Sequence, residues 1–232
     1  MTASDIRIAS GQGGEFDVYL AIPDHGQATP AIVLGSAIHG VDDDIRAIAD
    51  EFAARGFLAA APDLFWRSLP GPLPRSDTRA PQRAQPRLQR IAENERDLAD
   101  VLSALRGQPL FNGRAAVMGF CYSGPFAILG PKRLGYEAGI ACHGTQMLDF
   151  IGEAEGIDRP VRLFWGDDDA MAPPGVLNAY RLVAARNTKL EVHVFPEVQH
   201  GYMMRGSAQS FDAAAYRFSM ERAFAVLDSM RE

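Results

Sequence analysis

The chain has 232 residues, 47% of them hydrophobic and 22% charged, with a formal net charge of −6. That balance excludes a disordered chain and supplies enough apolar material for one sizeable domain spanning residues 1–232. The acidic surplus argues against nucleic acid or a membrane surface as partner, because both attract basic patches.

The opening residues MTASDIRIAS lack the basic start and apolar run of a secretory signal, and no apolar stretch is long enough to span a bilayer. Phe16 to Ile22 and Ala31 to Leu34 read as strands. Asp42 to Arg55 reads as a helix with Ile45, Ile48, Ala49 and Phe52 on one face and Gly56 as its stop. Phe57 to Ala61 is the next strand, closed by Pro62, and the proline-rich stretch from Leu69 to Pro86 is expected to be an exposed loop. Gln89 to Leu105 follows as a polar-faced helix, then a strand over Arg114 to Met118 and a buried helix over Pro125 to Leu129. Strands over Ala138–Ala141, Val161–Trp165 and Leu190–Phe195 continue the series, with helices over Gly175–Arg186 and Ala208–Met230. Alternation of this kind implies an α/β fold, a mostly parallel sheet covered by helices on both faces, with the first strands antiparallel.

Ligands of such sheets bind beyond the carboxyl ends of the strands. Three reactive residues fall there in the order nucleophile, acid, histidine: Cys121, Asp169 and His200. Cys121 lies in Gly119-Phe120-Cys121-Tyr122-Ser123-Gly124, straight after the apolar run Ala115 to Met118. Small residues two before and two after a nucleophile let strand and helix approach around a strained turn, so the motif reads as a nucleophile elbow with cysteine at its tip. The helix end behind it favours thiolate, and the Tyr122 amide is available to an oxyanion. Cys142 has no such frame and reads as a buried thiol. Without an export signal both cysteines are expected to be reduced in a cytoplasmic protein, and no CxxC or HExxH spacing suggests a metal. His200, in a loop after the last strand, is placed to act as base. Asp167, Asp168 and Asp169 are adjacent, and on chemistry alone any one of them could orient the imidazole.

With these residues in view the chain resembles the dienelactone hydrolase family of the α/β-hydrolase fold over essentially its whole length. The resemblance rests on IVLGSAIHGVDDDIRAIADEFAARGFLAAAPDLFWR, AAVMGFCYSG, LFWGDDDAMAPP and FPEVQHGYMMRG. It implies Cys121 as nucleophile, His200 as base and Asp169, four residues before Pro173, as the acid. It further implies an oxyanion hole from the Ile38 and Tyr122 amides, and places Arg67 and Arg205 where the family grips a substrate carboxylate. Ala37 stands where the family carries a glutamate that contacts the resting thiol. His39 and His143 could either pack or hydrogen-bond a substrate, and Trp66, Trp165, Tyr122 and Tyr202 could wall a pocket or fill the core.

The expected activity is cofactor-free hydrolysis of a lactone or small carboxylic ester, an anionic one where the two arginines grip a carboxylate, by a monomer acting through a Cys-His-Asp triad and an acyl-enzyme. The alternative is a non-turnover relative that binds ligand or senses redox state through a reactive thiol, a reading motivated by Ala37.

Overall fold

The computed structural model describes residues 1–231. Its elements in chain order are β1 (Thr2–Ala9), β2 (Glu15–Ile22), β3 (Thr29–Gly35), α1 (Asp43–Ala54), β4 (Leu58–Pro62), α2 (Ala80–Arg83) and α3 (Arg87–Leu105). They continue with β5 (Phe111–Phe120), α4 (Phe126–Leu129), β6 (Ala138–Cys142), α5 (Ile151–Glu155), β7 (Val161–Asp168), α6 (Pro174–Ala184), β8 (Leu190–Gln199) and α7 (Ala213–Asp228). The strands form one eight-stranded sheet in the order β1-β2-β4-β3-β5-β6-β7-β8. β1 pairs antiparallel with β2 and β2 with β4, whereas every later pairing is parallel.

β3, β4 and β6 are buried along their whole length, as strands covered on both faces must be. Alternate residues of these strands enter different cores. Ile32, Leu34, Met118 and Ile140 pack with α1 and α7 on one face. Ala31, Val33 and Val117 pack with α3 on the other, where α4, α5 and α6 continue the layer beside Leu163 and Trp165. Asp42 caps α1 by accepting the Ile45 amide, and Asp212 caps α7 by accepting the Ala214 and Ala215 amides. The Asp212 cap is why α7 starts at Ala213 and not at residue 208, where apolar content alone put it.

The structure differs from the sequence expectation in three further places. β1 was not anticipated: it is an edge strand, mostly exposed, and carries only weak apolar alternation. The Leu69–Pro86 stretch contains the helical turn α2 and buries Arg83, whose guanidinium donates to the Gly71 carbonyl at 2.8 Å and lies 4.2 Å from the centre of the Phe65 ring. The helix that starts at Cys121 is short and mixed, one 3-10 turn over Cys121–Ser123, one α turn, and a π turn over Gly130–Leu134. Its dipole is therefore weaker than that of the regular helix expected there.

Candidate active site

β5 delivers the chain to Cys121, which adopts a left-handed backbone with φ of 50°. A non-glycine residue in that region costs on the order of 1–2 kcal/mol, so the surroundings must hold it. They do so through backbone: the Cys121 carbonyl accepts the Gly124 amide at 3.1 Å and the Thr145 amide at 3.0 Å. Ser123 donates to the Ser36 carbonyl at 2.6 Å, tying the elbow to the loop after β3. The turn is so tight that a Cβ on Gly119 would lie 2.0 Å from the Ser123 carbonyl oxygen, and one on Gly124 would lie 2.4 Å from the Gly144 Cα. These contacts are the physical reason for the small residues around the cysteine.

The ends of β5, β7 and β8 bring Cys121, Asp169 and His200 together. The His200 Nδ1 lies 2.8 and 3.0 Å from the two carboxylate oxygens of Asp169. A carboxylate only accepts, so Nδ1 carries the proton and Nε2 is left for the sulfur. The Asp169 side chain is fully buried and also accepts the Met171 amide at 2.8 Å. Burial pulls the His200 pKa down, but the Asp169 hydrogen bond and a second hydrogen bond to Cys121 more than offset it, raising the pKa from 6.5 to about 10. The neighbouring acids are engaged elsewhere: Asp167 accepts the Glu197 amide at 2.6 Å, and Asp168 accepts the Gln199 side chain at 3.1 Å.

Two cavities meet at Cys121. One, of about 170 Å³, is bordered by Ala84, Arg87, Tyr122, Thr145 and Gln146. The other, of about 270 Å³, is bordered by His39, His143, His200, Met204 and Ser210. Ile38, Cys121 and Met171 border both. Ile38 and Tyr122 border the smaller cavity together with Cys121, and the Ile38 amide donates to no protein acceptor among the described residues. His143 is buried edge-on to His200, with ring centres 4.8 Å apart. Neither of its ring nitrogens has a partner, and burial followed by the charge of His200 holds its pKa well below 6.5. Cys142 lies beneath, where burial pushes its thiol up to about 12. Among the described residues no three His, Cys, Asp or Glu side chains cluster as metal ligands, and no helix is long and apolar enough to cross a membrane.

The family model for the dienelactone hydrolase family matches residues 16–230. The chain belongs to the dienelactone hydrolase family. Curated relatives include carboxymethylenebutenolidase 1 of Cupriavidus pinatubonensis, 27% identical over 100% of this chain and 99% of the relative. The carboxymethylenebutenolidase of Pseudomonas putida is 26% identical over 96% and 94% of the two chains. Among solved structures, a dienelactone hydrolase-like promiscuous phosphotriesterase from metagenomic libraries superposes with a TM-score of 0.84 at 19% identity, covering 98% of each chain. An esterase of Pyrococcus furiosus superposes with a TM-score of 0.71 at 15% identity, covering 98% of this chain and 92% of its own. These likenesses are of fold, and the fold is that of the α/β-hydrolases. With the family assigned, this chain is a hydrolase of esters or lactones.

Within that family frame, the two arginines singled out from sequence are not at the cavities. Arg67 forms a bidentate pair with buried Asp97 at 2.6 and 2.9 Å, donates to Ser10 and stacks on Trp66. Arg205 pairs with Glu51 at 2.6 Å over the Tyr216 ring. The guanidiniums that do border the cavities are Arg75 and Arg87. Arg75 is neutralised by Asp44 at 2.5 Å. Arg87 donates only to the Tyr122 and Thr145 carbonyls, at 3.0 and 2.9 Å, and its buried Nε has no partner. Sequence reading missed Arg87 because it sits at the end of the proline-rich stretch, 34 residues before Cys121, and only the start of α3 carries it there.

Three of the aromatic residues are structural. Trp66 stacks on Phe16 and donates to Asp97, Trp165 is buried and donates to the Gly144 carbonyl, and Tyr202 is buried against Ser219. Tyr122 alone of the four borders a cavity, its hydroxyl donating to Asn94 at 2.7 Å. Ala37 borders the larger cavity, and no carboxylate borders either one.

Proposed function

We propose that the chain cleaves a carboxylic ester through Cys121, His200 and Asp169. The observation that carries this reading is the Asp169 carboxylate 2.8 Å from His200 Nδ1, with His200 and Cys121 bordering one cavity at the strand ends. The sulfur attacks the carbonyl carbon while His200, kept protonated by Asp169, holds its Nε2 proton for the leaving group. Charge developing on the carbonyl oxygen is met by the Ile38 and Tyr122 amides. Collapse breaks the carbon–oxygen bond of the ester, and the departing alkoxide takes the proton from His200. Water, deprotonated by His200, then attacks the thioester, expels the sulfur and releases the acid, so that His200 ends the cycle protonated as it began.

With alanine at position 37, activation rests on His200 and on the positive surroundings. Among the described residues the cleft is bordered by His200 and by Arg87, which has no carboxylate partner, and by no carboxylate, so it is positive. The same surroundings favour an anionic substrate. Arg87, without a carboxylate partner, takes the role that the resemblance gave to Arg67 and Arg205. Cys121→Ala is expected to lower turnover of nitrophenyl acetate at least 1,000-fold, on the order expected for loss of a nucleophile, with an unchanged unfolding midpoint. Residual turnover within tenfold of wild type would refute the mechanism, and stoichiometric thiol modification of a protein that turns nothing over would favour the binding or sensing alternative. Arg87→Met should lower kcat/KM for a hemisuccinate ester at least tenfold more than for the matched neutral ester.

A further inference from the structure

Cys121 sits at a neck, with Ile38 and Met171, between two cavities that share no other wall. His200 borders only the larger, and Arg87 and Thr145 border only the smaller. In the reaction proposed above, the proton carried by His200 must reach the departing oxygen, so the alcohol side of the ester has to lie in the cavity that His200 borders. With the sulfur at the neck and the carbonyl oxygen between the Ile38 and Tyr122 amides, the remaining substituent of the carbonyl carbon points the other way. From this juxtaposition we infer that the substrate is an open-chain ester whose two arms separate at the carbonyl, the acyl arm entering the Arg87 cavity and the alcohol arm the His200 cavity.

This inference rests on the hydrolase reading and narrows it. A lactone joins its two arms in one small ring, which would fill one side of the neck and leave the other empty. An acyclic ester uses both. The smaller cavity, about 170 Å³, accepts a short acyl arm. The larger, about 270 Å³ and bordered by Met204, Ser207 and Ser210, accepts a bulkier alcohol.

Each cavity has a residue whose enlargement narrows it alone: Ala84 on the acyl side and Ser210 on the alcohol side. Two ester series separate the arms. Nitrophenyl acetate, butanoate and hexanoate vary the acyl group, whereas ethyl, butyl and phenylethyl acetate vary the alcohol. Ala84→Leu should lower the hexanoate-to-acetate ratio of kcat/KM at least tenfold and change the phenylethyl-to-ethyl ratio less than twofold. Ser210→Leu should do the reverse. Gln146→Phe, at an exposed position of the acyl cavity, repeats the first test should Ala84→Leu unfold. Crossed effects, or both ratios falling together in each variant, would overturn the two-arm assignment while leaving hydrolysis intact. So would a δ-lactone cleaved faster than ethyl pentanoate after each rate is divided by its rate with hydroxide. Failure of the wild type to turn over any member of either series overturns the hydrolase reading and the assignment with it.

Discussion

Replacing Asp169 by asparagine keeps the shape of the side chain and removes its charge. In the structure the imidazole of His200 is held at about 10 against an ordinary 6.5, a net gain despite burial. At about 1.4 kcal/mol per pKa unit, this corresponds to roughly 5 kcal/mol of preference for the imidazolium. The Asp169 hydrogen bond comes first among the interactions that raise it, and a hydrogen bond between charged groups is worth roughly 1.5–3 kcal/mol. Loss of that support should lower kcat/KM for nitrophenyl acetate at pH 7 by on the order of 100-fold or more, since asparagine can also turn its amide nitrogen toward Nδ1 and impose the wrong tautomer.

The same group leaves a signature in stability. Because its folded pKa lies above the unfolded one, the stabilisation is complete below pH 6.5 and is lost as pH climbs through about 10. Urea unfolding of the wild type should therefore show falling stability across that window, and Asp169→Asn should flatten the fall. An asparagine variant within threefold of wild-type activity, together with a wild-type stability that does not change from pH 6.5 to 10, would refute the coupling argued here.

Arg67→Met should leave fully buried Asp97 without its ion-pair partner and lower stability by about 3–5 kcal/mol, while kcat of the folded fraction stays within threefold; a large loss of kcat without loss of stability would mean that Arg67 touches substrate. Gly119→Ala forces a Cβ to within 2.0 Å of a backbone oxygen, so thermal unfolding should drop by several degrees, at about 2–4 °C per kcal/mol for a chain of this size; an unchanged midpoint would contradict the close packing of the elbow. His143→Phe removes two unpartnered buried nitrogens that each cost on the order of 1–3 kcal/mol, so stability should hold and activity stay within threefold. A fall of more than 30-fold in a folded variant would show that a His143 nitrogen takes part in the reaction.

Much of the strand-and-helix alternation was legible because strands buried on both faces read as unbroken apolar runs, as β3, β4 and β6 do. The elbow was legible because a backbone that leaves no room for a Cβ records itself as glycine and serine around Cys121. Edge strand β1 was not, since a strand exposed on most of its surface carries almost no hydrophobic period. Nor was the fate of the charged residues. Arg67 and Arg205 occupy promising positions along the chain, but each finds a carboxylate, Asp97 and Glu51, before it reaches the cleft.

What the sequence determined by itself, then, is the local material: where the chain must turn tightly, which segments must be covered, and which side chains are able to attack, donate or orient. The tertiary structure decided which of them meet. It brought the carboxylate of Asp169, already singled out by its place four residues before Pro173, within 2.8 Å of His200, turned Arg87 and not Arg67 toward the sulfur's cavity, and divided the cleft in two. Charge pairing and cavity shape depend on residues tens of positions apart meeting in space, and their spacing along the chain carries no record of that distance.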